Sequence, residues 1–70
     1  MNLFQLEYFL TLAEMLNYTK ASDRLHITQP TLSKFIVNLE HSLGSPLFIR
    51  NKRDVKLTQQ GKVFYEEIKK

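Results

Sequence analysis

Between Thr28 and Gly44 the sequence sets out the start, the buried stripe and the end of one helix. Thr28 is suited to the N-cap, where its hydroxyl can accept from backbone N–H groups that lack an intrahelical partner. Pro30 falls in the first turn, where its missing N–H costs nothing. Ile27 before the cap and Leu32 four residues after it are spaced as a hydrophobic staple. With Ile36 at the centre of the buried face, a step of roughly 100° per residue puts Leu32, Leu39 and Leu43 beside it. Thr31, Lys34, Asn38 and His41 then lie opposite. Gly44 suits the left-handed C′ position, and Pro46 follows two residues later. The helix is therefore expected over residues 29–43, held from behind and polar in front.

Its apolar side must be covered by a chain of only 70 residues. Domains of that size bury only about 60% of their unfolded surface, which leaves little room for a deep catalytic cleft. With no cysteine, neither a disulfide nor a thiolate metal site can staple the fold. That usage is compatible with a cytoplasmic location. No apolar run approaches the ~18 residues of a membrane span, and Met1-Asn2-Leu3 lacks the basic start of a signal peptide. The chain reads as soluble and unprocessed, with no membrane partner.

Upstream, Leu3, Leu6, Phe9, Leu10, Ala13 and Leu16 recur at helical spacing, and Phe4, Tyr8, Leu12 and Met15 widen the stripe. So much apolar surface on one helix implies burial against a second chain or a segment beyond this one. Asn17-Tyr18-Thr19 breaks the pattern. Thr19 is the expected cap of a short helix from Lys20 to Leu25, with His26-Ile27 as the turn into the helix over 29–43. Two helices joined this tightly, the second with an exposed polar face, make a helix-turn-helix.

Downstream, Leu47-Phe48-Ile49 and Val55-Lys56-Leu57 are β-prone runs flanking Asn51-Lys52-Arg53-Asp54, a pattern that predicts a hairpin. Thr58 then caps a fourth helix containing Val63, Phe64 and Ile68. Gly61 in its first turn costs up to ~1 kcal/mol against Ala, so a close backbone approach is expected there. No stop signal follows, and the chain is expected to be part of something longer.

Charge is divided along the same boundary. Residues 1–49 carry three Lys or Arg against four Asp or Glu, whereas residues 50–70 carry seven against three. The mild net charge of +3 thus conceals a basic second half, with Arg50, Lys52, Arg53 and Lys56 gathered around the hairpin tip. Singly, each is most simply a solvated surface residue. Together they suit a polyanion.

The order helix, helix-turn-helix, hairpin and capped helix carries Ala21, Leu25, Thr28-Gln29-Pro30, Leu32-Ser33-Lys34 and Ile36. It continues through Leu39-Glu40, Leu43-Gly44, Pro46-Leu47-Phe48, Arg50, Arg53, Val55, Leu57-Thr58 and Gly61. In this it resembles the N-terminal DNA-binding domain of bacterial LysR-type transcriptional regulators, over essentially the whole chain. The resemblance implies a mainly α winged helix-turn-helix over residues 1–57 and the start of a long linker helix over 58–70. A small-molecule co-inducer would bind a C-terminal domain absent here, with no cofactor in this one. It further implies homodimers, or tetramers, on double-stranded promoter DNA, with Leu3, Leu6, Phe9, Phe64 and Ile68 as dimer contacts. Ser22, Leu16, Phe35, Val37 and Gln60 depart from the family pattern; Gly is frequent at position 16, and polar or basic residues are common at 35 and 37.

By the same resemblance the recognition helix over 29–43 enters the major groove and the wing over 47–57 meets the backbone or minor groove. Thr28, Gln29, Pro30, Thr31, Ser33, Lys34, Arg50 and Arg53 are the expected DNA-binding residues. Chemically, Gln29 can bond adenine, Lys34 guanine or a phosphate, and Pro30 or Thr31 a thymine methyl. Gln29 and Ser33 are also ordinary helix-start residues, and Arg50 is equally suited to an ion pair with Glu40. His26 and His41 lack the further ligands a metal site needs. No activated nucleophile or Gly-rich loop supports an enzyme. The alternative from another class is a protein-interaction module using Phe35 and Val37.

Overall fold

The computed structural model describes residues 3–51 and 54–69. Four helices and one hairpin follow in the order α1 (Leu3–Met15), α2 (Tyr18–Leu25), α3 (Gln29–Leu43), β1 (Phe48–Arg50), β2 (Val55–Leu57) and α4 (Gln59–Lys69).

The termini of α3 are set by local chemistry. Thr28 is extended, and its hydroxyl accepts the Thr31 N–H at 3.4 Å. Gly44 closes the other end at φ 73, donating its N–H to Glu40 and His41 carbonyls. A left-handed residue at that position is nearly free for glycine and costs other residues roughly 1 kcal/mol or more. The apolar stripe is shorter than its spacing implies. Leu32, Ile36 and Leu39 are fully buried, whereas Leu43 is 40% exposed at a groove it shares with Val63 and Phe64 of α4.

The start of α2 differs from the sequence expectation. Asn17, not Thr19, is the N-cap, and its side chain accepts the Lys20 N–H at 2.9 Å. The helix consequently begins at Tyr18, and Thr19 lies inside its first turn. The cause lies upstream, where α1 ends at Met15 and Leu16 turns the chain in the left-handed region at φ 50. Asn17 then emerges extended, the geometry an N-cap requires. A second left-handed residue, His26 at φ 58, ends α2 and directs the chain into α3.

The core gathers Phe9, Leu12 and Ala13 of α1, Ala21 of α2, the α3 stripe, and Leu47 and Phe48. Phe9 is the hub, with ring centroids 5.5 Å from Phe48 and 4.9 Å from Phe64. Its exposure is 0%, so it is spent inside the chain and offers nothing to a partner, contrary to its expected place among dimer contacts.

The hairpin is antiparallel, pairing Phe48 with Leu57, Ile49 with Lys56 and Arg50 with Val55. Its first strand starts one residue later than expected because Leu47 is engaged elsewhere. The Leu47 N–H donates to the Glu40 carboxylate at 2.7 Å, and its carbonyl accepts the Thr58 N–H at 3.0 Å. Thr58 caps α4 through the Gly61 N–H at 2.9 Å and ties back to the Pro46 carbonyl at 2.8 Å. Helix, loop and hairpin therefore meet at one junction. Gly61 sits at its centre, where a Cβ would fall on the Leu47 carbonyl oxygen.

Candidate nucleic-acid interface

The exposed start of α3 faces the hairpin across an open cleft of about 610 Å³, bordered by Gln29, Pro30 and Ser33 on one side and Arg50 and Asn51 on the other. Tyr18 and Val55 complete its lining. Two connections set the distance between its walls. Glu40, on α3, accepts the N–H groups of Leu47 and Phe48 at 2.7 and 3.2 Å, which anchors the hairpin to the helix. Arg50 then reaches back, donating from Nη1 to Ser33 Oγ at 3.2 Å, with its guanidinium 5.1 Å from the centroid of the Tyr18 ring. The Glu40 carboxylate thus holds backbone, while Arg50 is shared between an aromatic face and a hydroxyl.

Burial pushes the Tyr18 phenol above its ordinary range, the Arg50 charge opposes that shift, and Glu40 adds to it. Its hydroxyl is buried and has no hydrogen-bond partner among the described residues. The phenol is therefore kept neutral beside a cation, which suits a packing platform for Arg50.

Other expected site residues occupy the same edge. Thr28 and Thr31 pair their hydroxyls at 2.8 Å over the first turn of α3, with the Thr31 N–H taken by Thr28. Lys34 is exposed one residue past Ser33. Arg53 lies outside the described residues. Gln29 donates from Nε2 to Thr19 Oγ1 at 3.2 Å, a contact that crosses the turn of the helix-turn-helix. Tyr18, Asn51 and Val55 were not foreseen at this cleft, nor Thr19 beside it. No local signal marks Tyr18, since its partner Arg50 is far along the chain; Thr19 carried a signal that pointed to capping instead.

Phe35 is turned toward α1, packing edge-on against Tyr8 with centroids 4.7 Å apart. On the far side of the molecule Leu3, Leu6, Leu10 and Ile68 line a groove between α1 and α4, with Leu3 81% exposed. Glu14 closes one end of that groove through Lys69 Nζ and the Tyr65 hydroxyl, both at 3.3 Å. Phe64 lies apart from the groove, against Phe9 and beside exposed Leu43 and Val63. Among the described residues no cluster of His, Asp or Glu could hold a metal ion, and no helix is long and apolar enough to cross a membrane.

Comparison with known proteins places these features in a family. The sequence pattern of the bacterial regulatory helix-turn-helix proteins of the lysR family matches residues 3–62. The Hca operon transcriptional activator HcaR of Escherichia coli is 45% identical over 67 residues, which cover 96% of this chain and 23% of that protein. The regulator BenM of Acinetobacter baylyi is 47% identical over 66 residues, covering 94% and 22% respectively. This chain thus spans about a fifth of the length of such relatives. Among solved structures, the complex of the BenM DBD with catB site 1 DNA superimposes with a TM-score of 0.91 at 46% identity, covering 96% of this chain and 75% of that one. The CbnR DBD–DNA complex gives a TM-score of 0.94 at 38% identity, with 99% and 79% covered. Sequence and fold agree, and the chain belongs to the lysR family of bacterial regulatory helix-turn-helix proteins.

Proposed function

We propose that this chain is the DNA-binding part of a bacterial transcriptional regulator, acting by sequence-specific binding to promoter DNA and not by catalysis. The observation that carries the reading is the cleft in which Gln29, Pro30 and Ser33 on α3 stand opposite Arg50 of the hairpin. In this reading α3 enters the major groove, with Gln29, Pro30, Thr31, Ser33 and Lys34 toward the bases. The exposed Thr28 hydroxyl, at the positive end of the α3 dipole, takes a phosphate. The wing lies on the backbone or minor groove, with Arg50 and Arg53 supplying positive charge.

Residues 1–57 form the DNA-binding unit and 58–70 begin a linker helix. The apolar groove of Leu3, Leu6 and Ile68 supports a homodimer, which suits a two-fold operator. The cytoplasm is the matching compartment. Control would come from a C-terminal domain, outside this chain, that binds a small-molecule co-inducer.

A salt titration tests the reading with duplex DNA recovered by selection from a randomised pool and a scrambled duplex as control. The selected duplex should bind more tightly, with log affinity falling linearly in log salt by about 0.9 per phosphate neutralised. Equal binding of both duplexes, or none at low salt, rejects it. No observation favours an interaction module built on Phe35, because that ring is packed on Tyr8.

A further inference from the structure

The side chain of Thr19 is left without its expected capping role, since Asn17 takes the Lys20 N–H. Its hydroxyl instead accepts Gln29 Nε2 at 3.2 Å, from a residue ten positions ahead on the next helix. Gln29 is the first residue of α3 and exposed, at the edge of the cleft. We propose that Thr19 is a positioning residue for base recognition: it holds the Gln29 side chain in place at the cleft edge and thereby sharpens the preference of this site for adenine. This inference rests on the reading of Gln29 as a base contact.

The chemistry is that of a primary amide, which has two N–H donors and one acceptor oxygen. A bidentate contact to adenine uses one N–H toward N7 and the oxygen toward the N6 amino group. A second N–H is left for Thr19, so the donor count lets Thr19 and adenine share the amide. An untethered glutamine loses side-chain freedom on binding. With Thr19 engaged, part of that ordering is already present in the free protein. The helix-turn-helix turn makes this geometry possible: left-handed His26 brings the start of α2 within reach of the start of α3.

The test measures affinities of the full chain for the selected duplex and for three variants of it, carrying the other base pairs at the position where Gln29→Ala loses preference. Thr19→Val keeps the shape and removes the hydroxyl, Thr19→Ser restores it, and Thr19→Val/Gln29→Ala completes the cycle. Thr19→Ala serves in place of Thr19→Val if the latter melts with altered cooperativity. The preference for A·T at that one pair should fall about 2- to 10-fold in Thr19→Val, the range of one net hydrogen bond. Thr19→Ser should recover it, and the double variant should be no worse than Gln29→Ala alone. Equal weakening on all four duplexes, or unchanged preference while Gln29→Ala relaxes it, overturns the positioning role and leaves the proposed function standing. If Gln29→Ala itself changes no preference, base reading by Gln29 fails and the inference falls with it.

Discussion

Replacing Gly61 with alanine sets two effects of opposite sign against each other at the junction that orients the wing. In an isolated helix the change would stabilise α4 by about 1 kcal/mol. Here the new methyl would meet the Leu47 carbonyl oxygen, a backbone atom with little freedom to retreat. That carbonyl accepts the Thr58 N–H at 3.0 Å, and the Leu47 N–H is bound to Glu40 at 2.7 Å. Relief therefore requires α4 to move off Leu47, straining the Thr58 contacts and the Phe64 ring on Phe9. Overpacking of this kind costs about 1–3 kcal/mol and one weakened hydrogen bond about 0.5–1.5 more. After subtracting the helical gain, the net loss is about 2 kcal/mol. For a domain of this size that lowers the midpoint of thermal unfolding by roughly 8–16 °C. Thermal denaturation followed by circular dichroism measures it, with Gln60→Ala as control because that exposed neighbour has only helix propensity to change. A Gly61→Ala protein that melts at or above the parent temperature would show that the junction yields freely and that the steric argument is wrong.

Two further predictions follow from the cleft. Glu40→Ala removes the acceptor of two backbone N–H groups and should destabilise the fold by about 2–3 kcal/mol, the range for hydrogen bonds to a charged group; chemical denaturation should show a lower midpoint, and a change under 0.5 kcal/mol would refute the anchoring role. Tyr18 has its pKa raised in the fold by burial, so above its unfolded value near 10.0 the unfolded chain releases the proton more readily and stability falls as pH rises. Tyr18→Phe should flatten that alkaline decline and change little at neutral pH, since the hydroxyl has no partner among the described residues; an unchanged alkaline slope contradicts this.

The sequence offers candidate interface residues one at a time and says nothing of their partners. Arg50 was suited by charge to Glu40; in the fold Glu40 turns to two backbone N–H groups, and Arg50 rests between Tyr18 and Ser33. Charge says which pairs could attract, whereas unpaired backbone donors at a buried loop demand an acceptor first. Tyr18 shows the same limit. An aromatic residue next to a helix start reads as core, and only the approach of the hairpin makes it the seat of an arginine.

What the sequence determined by itself is what depends on neighbours three or four residues apart: the ends of α3, the cap at Thr58 and the turn toward the wing. Capping, glycine stereochemistry and helical period act over that range, so they are written locally. Only tertiary structure decided the rest. Asn17 and Thr19 are both competent caps, and the left-handed turn at Leu16 selected between them, freeing Thr19 for Gln29. Phe9 and Leu43 both carry the apolar pattern, but one is enclosed by Phe48 and Phe64 while the other stays 40% exposed at a groove beside Val63. Periodicity assigns a residue to a face; what covers that face depends on segments distant in the chain and near in space.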